Sequence, residues 1–122
     1  QLELHGFLTR PPGRPTGPVP MVLMPHGGPI GVHDDGRYDE TVQLLAAAGY
    51  GVLQVNFRGS SGRGKAFLDA GLGQWGAAMQ HDLEDTVAWA IAEGHATAGA
   101  ICAVGASYGA YASMLALANA PE

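Results

Sequence analysis

Short apolar runs alternate with longer amphipathic segments along this chain. Continuous apolar runs followed by glycine-rich turns are typical of strands that are buried on both faces. Three such runs predict strands at residues 21–24, 52–57 and 100–104. Segments with a period near 3.6 residues predict helices at residues 38–48, 80–93 and 108–118. A leading stretch, residues 2–9, alternates loosely and predicts an edge strand.

The order of these segments predicts the architecture. Strand and helix alternate three times with long crossovers, which favours a parallel sheet with helices on both faces and right-handed connections. Residues 10–20 contain five of the eight prolines, and proline cannot donate to a sheet ladder. We therefore expect residues 1–122 to form one domain or a part of one. A leading strand and proline-rich linker occupy residues 1–19, and a βαβαβα core occupies residues 20–122.

Composition narrows the range of partners. The net charge of −5 and the scattered basic residues leave no concentrated basic face, so we expect no nucleic-acid partner. No run of 18 apolar residues exists, so we expect no membrane span. The lone Cys102 excludes an intrachain disulfide and fits a reducing, cytoplasmic compartment. No charged-then-apolar leader follows Gln1, so we expect no signal peptide, and we expect the gene product to begin upstream of Gln1.

The clearest chemical motif is Gly105-x-Ser107-x-Gly109. It lies between a predicted buried strand and an alanine-rich helix, as a nucleophile elbow requires. In such an elbow a serine occupies a strained turn, and small residues two positions away let strand and helix approach closely. The following helix then directs its free N–H groups at a reacting carbonyl. We predict that Ser107 is a catalytic nucleophile.

A second motif, His26-Gly27-Gly28-Pro29, follows the first buried strand. An elbow serine needs a second N–H donor for the oxyanion, and a glycine-rich loop at this place in the chain supplies one. Glycine lets the backbone approach a substrate oxygen because it has no Cβ. The two motifs together predict an acyl-transfer site.

Four blocks of residues point to one family. They span most of residues 20–118, in this order: His26-Gly27-Gly28-Pro29; Asn56-Phe57-Arg58-Gly59-Ser60-Ser61-Gly62; Gly73-Gln74-Trp75-Gly76 with Asp82-Leu83 and Trp89; Gly105-Ala106-Ser107-Tyr108-Gly109. The chain resembles the catalytic domain of the prolyl oligopeptidase family, nearest its acylaminoacyl-peptidase branch. The resemblance implies an α/β-hydrolase fold truncated after the nucleophile helix, and a serine peptidase that cleaves peptide or N-acylated peptide bonds.

The resemblance also assigns roles to residues. Ser107 is expected to form the acyl-enzyme. The N–H of Tyr108 and a loop N–H, that of Gly28 rather than Gly27, are expected to form the oxyanion hole. Two other branches carry, in place of His26, a tyrosine whose hydroxyl helps to hold the oxyanion, so backbone groups are expected to serve here. No cofactor and no metal is implied; the implied partners are a peptide substrate, the rest of the catalytic domain and a β-propeller domain.

One part of the family's machinery has no counterpart in the sequence. The family's triad order is serine, aspartate, histidine, whereas no Asp or His follows Ser107. We therefore expect the general base and its orienting acid to lie beyond Glu122, and the isolated chain to be inactive, because a serine without its base is a poor nucleophile.

Other readings of the sequence are weaker. Residues 59–66 nearly match a phosphate-binding loop, but Ala66 cannot supply the hydroxyl that holds magnesium. A metal site at residues 33–35 is disfavoured because adjacent polar loop residues are usually solvated. Cys102 in mid-strand is expected to be a small core residue, and both Trp75 and Trp89 are expected to be packing residues. Two alternative functions stay open: a carboxylesterase or dienelactone-hydrolase-like enzyme of the same fold, and a non-catalytic scaffold.

Overall fold

The computed structural model describes residues 2–13 and 16–120. Within them the chain forms four strands and four helices. In chain order these are β1 (His5–Thr9), β2 (Val19–Leu23), α1 (Glu40–Ala47), β3 (Gly51–Asn56), α2 (Lys65–Asp69), α3 (Ala78–Ala92), β4 (Ala96–Ala103) and α4 (Tyr108–Asn119).

The strands form one sheet in the order β1-β3-β2-β4. β2 runs parallel to both β3 and β4, which confirms the predicted parallel core. β1 pairs antiparallel with β3, from His5 opposite Asn56 to Thr9 opposite Val52. The sheet is therefore mixed, because the leading strand adds an antiparallel edge to the three parallel strands.

Helices cover both faces of the sheet. On one face Met21, Leu23, Leu53, Val55 and Phe57 belong to a single buried cluster, to which α3 and α4 contribute Met79, Leu83, Ala90, Tyr108 and Ala112. Successive strand residues point to opposite faces, so the buried Val22 and Val52 face the other way. On that side α1 contacts β3 and contributes its own buried residues, Val42 and Ala46.

Local sequence signals account for the helix boundaries. The Asp39 carboxylate accepts a hydrogen bond from the Val42 N–H at 2.9 Å, which confirms the predicted N-cap of α1. Gly49, with φ of 101°, ends the turn after that helix as expected. The ambiguous residues after the second glycine-rich loop form the short helix α2 and then a series of turns up to Gly76.

From the sequence, residues 100–104 are predicted to form a third buried strand. A strand is present as β4, Ala96–Ala103, but most of its residues are not buried. β4 is the outer strand of the described sheet, so one of its edges has no neighbour among the described residues. Cys102 lies beside Val22, on the face of the sheet opposite α3 and α4, and it is exposed rather than a core residue; Val104 is 45% exposed. No helix in the described part of the chain combines the length and apolarity needed to cross a membrane.

Candidate active site

The turn between β4 and α4 holds Ser107 in a strained conformation. Ser107 has φ of 55° and ψ of −124°, and no other non-glycine residue among those described has a positive φ. Such a conformation costs about 1–3 kcal/mol and persists only where surrounding packing enforces it. It places the serine at the N-terminal end of α4, above the carboxyl end of the sheet.

Close backbone contacts enforce this turn. A Cβ on Gly105 would lie 2.4 Å from the carbonyl carbon of Gly109, and a Cβ on Gly109 would lie 2.3 Å from the Pro25 carbonyl oxygen. Neither position can hold a side chain without moving backbone. The two glycines of the motif are therefore required by the approach of strand, helix and the chain after β2.

The loop after β2, residues 26–31, lies against the serine; we call it the first loop. A Cβ built on Gly27 would lie 3.5 Å from the Ser107 Cβ and 3.3 Å from the Ala106 carbonyl oxygen. Gly28 has φ of 106°, a left-handed conformation that favours glycine. The structure thus brings the two sequence motifs together at one place.

His26 fixes the orientation of the peptide plane in this loop. Its Nδ1 lies 2.8 Å from the Gly27 carbonyl oxygen, which can only accept, so Nδ1 carries the proton. The other ring nitrogen, Nε2, lies 2.8 Å from the Ser60 hydroxyl oxygen and forms a hydrogen bond with it. Because a trans peptide directs its C=O and N–H to opposite sides, holding the Gly27 carbonyl directs the Gly28 N–H away from His26.

Two N–H groups at the site are left without an acceptor. Tyr108 is the first residue of α4, where an N–H has no partner within the helix. Neither its N–H nor that of Gly28 donates to a backbone or side-chain acceptor within the residues that the structure describes. The helix N-terminus also carries partial positive charge, which stabilises a nearby anion.

A second glycine-rich loop, residues 58–62, holds the first loop in place; we call it the supporting loop. The Gly31 N–H donates to the Gly59 carbonyl at 2.9 Å, and the Ser61 N–H donates to the Val32 carbonyl at 3.1 Å. Together with the hydrogen bond between Ser60 and His26, these bonds join the supporting loop to the first loop and to Val32, which directly follows it.

An ion pair in turn anchors the supporting loop to α3. The Asp82 carboxylate accepts from Arg58 three times: from Nε at 2.8 Å, from a terminal guanidinium nitrogen at 2.7 Å and from the backbone N–H at 2.9 Å. The Asp82 side chain is only 4% exposed. Its hydrogen bonds raise the pKa of Arg58, which keeps the guanidinium charged.

Residues 33–35 make contacts that do not resemble a metal site. The His33 ring bonds to the Ser61 hydroxyl, and the Asp34 carboxylate accepts from the Gln54 amide at 3.2 Å. Burial raises the pKa of Asp34 above its usual value. The described residues contain no group of three or more His, Cys, Asp or Glu side chains placed to hold a metal ion.

A cleft of about 420 Å³ opens beside the serine. It is lined by Gly28, Pro29, Trp75, Ser107, Tyr108 and Tyr111. Tyr108 is 4% exposed, and its buried hydroxyl has no hydrogen-bond partner among the described residues. Burial raises the pKa of Tyr108 to about 12, so this ring is neutral at ordinary pH.

No histidine within the described residues is positioned as a base for Ser107. Both ring nitrogens of His26 are engaged, at Gly27 and Ser60. The other four contact groups elsewhere or lie exposed: His5 with Glu3, His33 with Ser61, His95 with Trp89, and His81 on the surface of α3. The described residues therefore place no histidine against the Ser107 hydroxyl.

Sequence reasoning singled out Ser107, Tyr108, Gly27 and Gly28, and all four lie together. It did not identify the partnership of His26 with Ser60, or Trp75 as a lining residue. The packing interpretation of Trp75 covers only part of its position: its ring lies 4.9 Å from that of Tyr108, but the residue is also 56% exposed in the cleft. The position of Trp75 in the cleft depends on its contact with residues near Ser107 that are distant in sequence, so no local sequence pattern predicts it.

A mostly parallel sheet flanked by helices, with a strained serine between strand and helix, defines the α/β-hydrolase class. Solved structures support this class, including an acylaminoacyl peptidase in complex with Z-Gly-Gly-Phe-chloromethyl ketone. That structure superposes with a TM-score of 0.82 and 31% identity, over 95% of this chain and 19% of the other. The prolyl oligopeptidase family model matches residues 37–122. The chain belongs to the prolyl oligopeptidase family.

Curated relatives carry peptidase names. Dipeptidyl aminopeptidase BIII of Pseudoxanthomonas mexicana is 46% identical over 110 residues, which are 90% of this chain and 16% of that protein. The acylamino-acid-releasing enzyme of Sus scrofa is 32% identical over 122 residues, 99% of this chain and 16% of that protein. The chain thus spans about a sixth of the length of these relatives.

Proposed function

We propose that this chain is part of a serine peptidase that cleaves peptide or N-acylated peptide bonds through an acyl-enzyme on Ser107. The observation that carries the proposal is the strained turn at Ser107, which faces a loop with a free N–H. Residues with a strained backbone are concentrated at active sites, where the surrounding packing keeps them in that conformation. The family and the peptidase names of the relatives support the reaction class.

In the proposed reaction the Ser107 oxygen attacks the scissile carbonyl carbon. Its proton passes to a base and then to the leaving amine, and water later hydrolyses the ester bond to Ser107. The N–H groups of Tyr108 and Gly28 bind the oxygen that becomes negative, and the positive end of α4 adds to that stabilisation. Gly27 serves by letting the first loop approach the serine.

The base and its acid belong to other segments in this proposal. By resemblance to the family they are a histidine and an aspartate after residue 122. Residues 1–122 would then be a partial catalytic domain, inactive alone and completed by further chain, with a β-propeller as an additional domain. The share of the relatives that this chain spans, about a sixth, supports that arrangement. The single cysteine supports a cytoplasmic location.

The decisive test is hydrolysis by the whole protein that contains this chain. Two amide substrates suffice, one with an acylated amino acid and one with a free-amino dipeptide ahead of the scissile bond. We expect Ser107→Ala to lower kcat by about 10³-fold or more on whichever is cleaved. Ser113→Ala is the matched control on α4, where the hydroxyl only bonds the Gly109 carbonyl, and should stay within about twofold.

Retention of more than a tenth of the activity in Ser107→Ala would contradict the proposal. Hydrolysis of simple esters with no cleavage of either amide would favour the carboxylesterase alternative. Absence of any Ser107-dependent hydrolysis would favour a scaffold.

A further inference from the structure

Asn56, the last residue of β3, makes contacts that the reaction described above does not use. It is 7% exposed. Its side-chain oxygen accepts a hydrogen bond from the Asp34 N–H at 2.8 Å, and its side-chain NH₂ donates to the Asp34 carbonyl at 2.9 Å. Because a backbone N–H only donates and a carbonyl only accepts, these partners fix the orientation of the Asn56 amide. The side chain therefore holds both backbone groups of one residue, as a paired strand does.

The residue that Asn56 holds lies between the first loop and α1. We call residues 32–36 the exit segment, because the chain leaves the first loop through them. The exit segment is joined to the supporting loop as well, since the Val32 carbonyl accepts from the Ser61 N–H at 3.1 Å. Two hydrogen-bonded positions, two residues apart, thus fix the backbone of this segment.

The exit segment also touches the proposed oxyanion donor. A Cβ on Gly28 would lie 2.4 Å from Cγ2 of Val32, so the valine side chain occupies the space beside Gly28. Val32 is 42% exposed, and burial alone does not fix its position. Its place depends on the backbone bonds at Val32 and Asp34. A change at Asp34 is therefore transmitted through Val32 to the peptide of Gly28.

The first loop needs to be held from both ends. Gly28 and Gly31 have φ of 106° and 79°, and glycine has more backbone freedom than other residues. At the start of the loop His26 holds the Gly27 carbonyl at 2.8 Å. Beyond its end Asn56 holds the exit segment. The two side chains therefore act on the same stretch of backbone from opposite sides.

We propose that Asn56 is a positioning residue for the hydrolysis: it fixes the Asp34 backbone and, through Val32, directs the Gly28 N–H at the developing oxyanion. This inference rests on the proposed function. Asn56 acts through the loop and not on the substrate. Because an oxyanion donor stabilises the transition state more than the bound substrate, the loss of Asn56 lowers kcat and leaves KM nearly unchanged.

The first test measures hydrolysis by the whole protein, with the amide substrate that it cleaves. Asn56→Ala should lower kcat about tenfold and keep KM within about twofold. Asn56→Leu removes both hydrogen bonds but keeps a similar side-chain volume, so it should show the same fall and carries the test if the alanine variant does not fold. Gln54→Ala is the matched control. Gln54 lies on the same face of β3 and bonds the Asp34 carboxylate at 3.2 Å instead of the backbone, so kcat should stay within about twofold.

A double variant separates positioning from a general loss of structure. His26→Ala disturbs the same Gly28 peptide from the other side. If both residues direct one N–H, the second substitution acts on a donor that has already lost its direction. Asn56→Ala should therefore lower kcat by less than about threefold in the His26→Ala background.

Four outcomes would overturn the inference: the full fall in kcat in both backgrounds, a rise in KM alone, equal falls for Asn56→Ala and Gln54→Ala, or unchanged kcat in both Asn56 variants. Failure of both variants to fold would assign Asn56 to stability and overturn it as well. The proposed function fails separately, when Ser107→Ala keeps its activity. An inactive Ser107→Ala together with fully active Asn56 variants rejects the positioning role alone.

Discussion

The first loop and the supporting loop follow neighbouring parallel strands and are both rich in glycine, yet their hydrogen bonding differs. The first loop leaves the Gly28 N–H unused beside Ser107. The supporting loop engages its polar groups: Arg58 with Asp82, Ser60 with His26, and the Gly59 N–H with the Phe67 carbonyl at 3.0 Å. In this site, the loop with the unused donor is thus held in place by a neighbouring loop whose own polar groups form several hydrogen bonds.

The largest effect should come from the close backbone contact between Gly109 of the Ser107 turn and Pro25, which directly precedes the first loop. Gly109→Ala places a Cβ 2.3 Å from the Pro25 carbonyl oxygen, where only backbone can move. We expect a loss of about 3 kcal/mol or more in urea unfolding of the whole protein. Gly13→Ala is the control: it has φ of 76° but open space, so it should cost about 1 kcal/mol. Equal losses in the two variants would contradict the role assigned to close approach.

The anchor of the supporting loop should give the next largest effect. Arg58→Met leaves the buried Asp82 carboxylate with one backbone donor in place of three bonds. We expect a loss of about 2–3 kcal/mol by urea unfolding. Arg63→Met, at an exposed position in the glycine-rich segment that follows, should change stability by less than about 0.5 kcal/mol. A loss below 1 kcal/mol in Arg58→Met would show that the ion pair does not anchor the loop.

The histidine that joins the two loops should affect catalysis more than folding. Without the His26 ring, the Gly27 carbonyl is free to turn and the Gly28 N–H loses its direction. His26→Ala should lower kcat about tenfold with KM nearly unchanged, because the N–H acts on the transition state. His26→Asn, whose side-chain N–H₂ can replace Nδ1, should recover part of the loss.

His33→Ala is the matched control for this variant. His33 also bonds a serine of the supporting loop, Ser61, but is exposed and makes no bond to the Gly27 peptide. It should keep kcat within twofold. Equal falls for both histidines, or a rise in KM alone for His26→Ala, would contradict the positioning role.

The smallest effect should come from the hydroxyl of Tyr108. It is buried and has no hydrogen-bond partner in the part of the chain that the structure describes, so Tyr108→Phe should leave stability unchanged at pH 7 or raise it by up to about 1 kcal/mol. Because the folded-state pKa of Tyr108 is raised to about 12 from 10, the native state disfavours the charged form. The wild type should therefore lose stability relative to the variant as pH rises from 10 to 12. Urea unfolding at pH 7 and above pH 10 measures both effects; a variant destabilised by more than 1 kcal/mol would show that the hydroxyl has a partner.

The sequence predicts more of the candidate site than of the sheet edges. The elbow and the first loop are local motifs, in which glycine spacing and the adjoining apolar strands already carry the geometry. Whether Cys102 is buried depends on where β4 lies in the sheet and on which elements cover it, and the sequence around Cys102 does not show this. The antiparallel pairing of β1 likewise depends on a contact with β3, which is distant in sequence. The links from His26 to Ser60 and from Trp75 to Tyr108 also join distant residues, so no local pattern predicts them.

Whether Ser107 is the nucleophile is tested by labelling the whole protein with a fluorophosphonate and locating the adduct by peptide mapping with mass spectrometry. We expect one stoichiometric adduct, on the Ser107 hydroxyl, which is absent from Ser107→Ala and unchanged in Ser113→Ala. An adduct on another residue, or undiminished labelling of Ser107→Ala, would contradict that role.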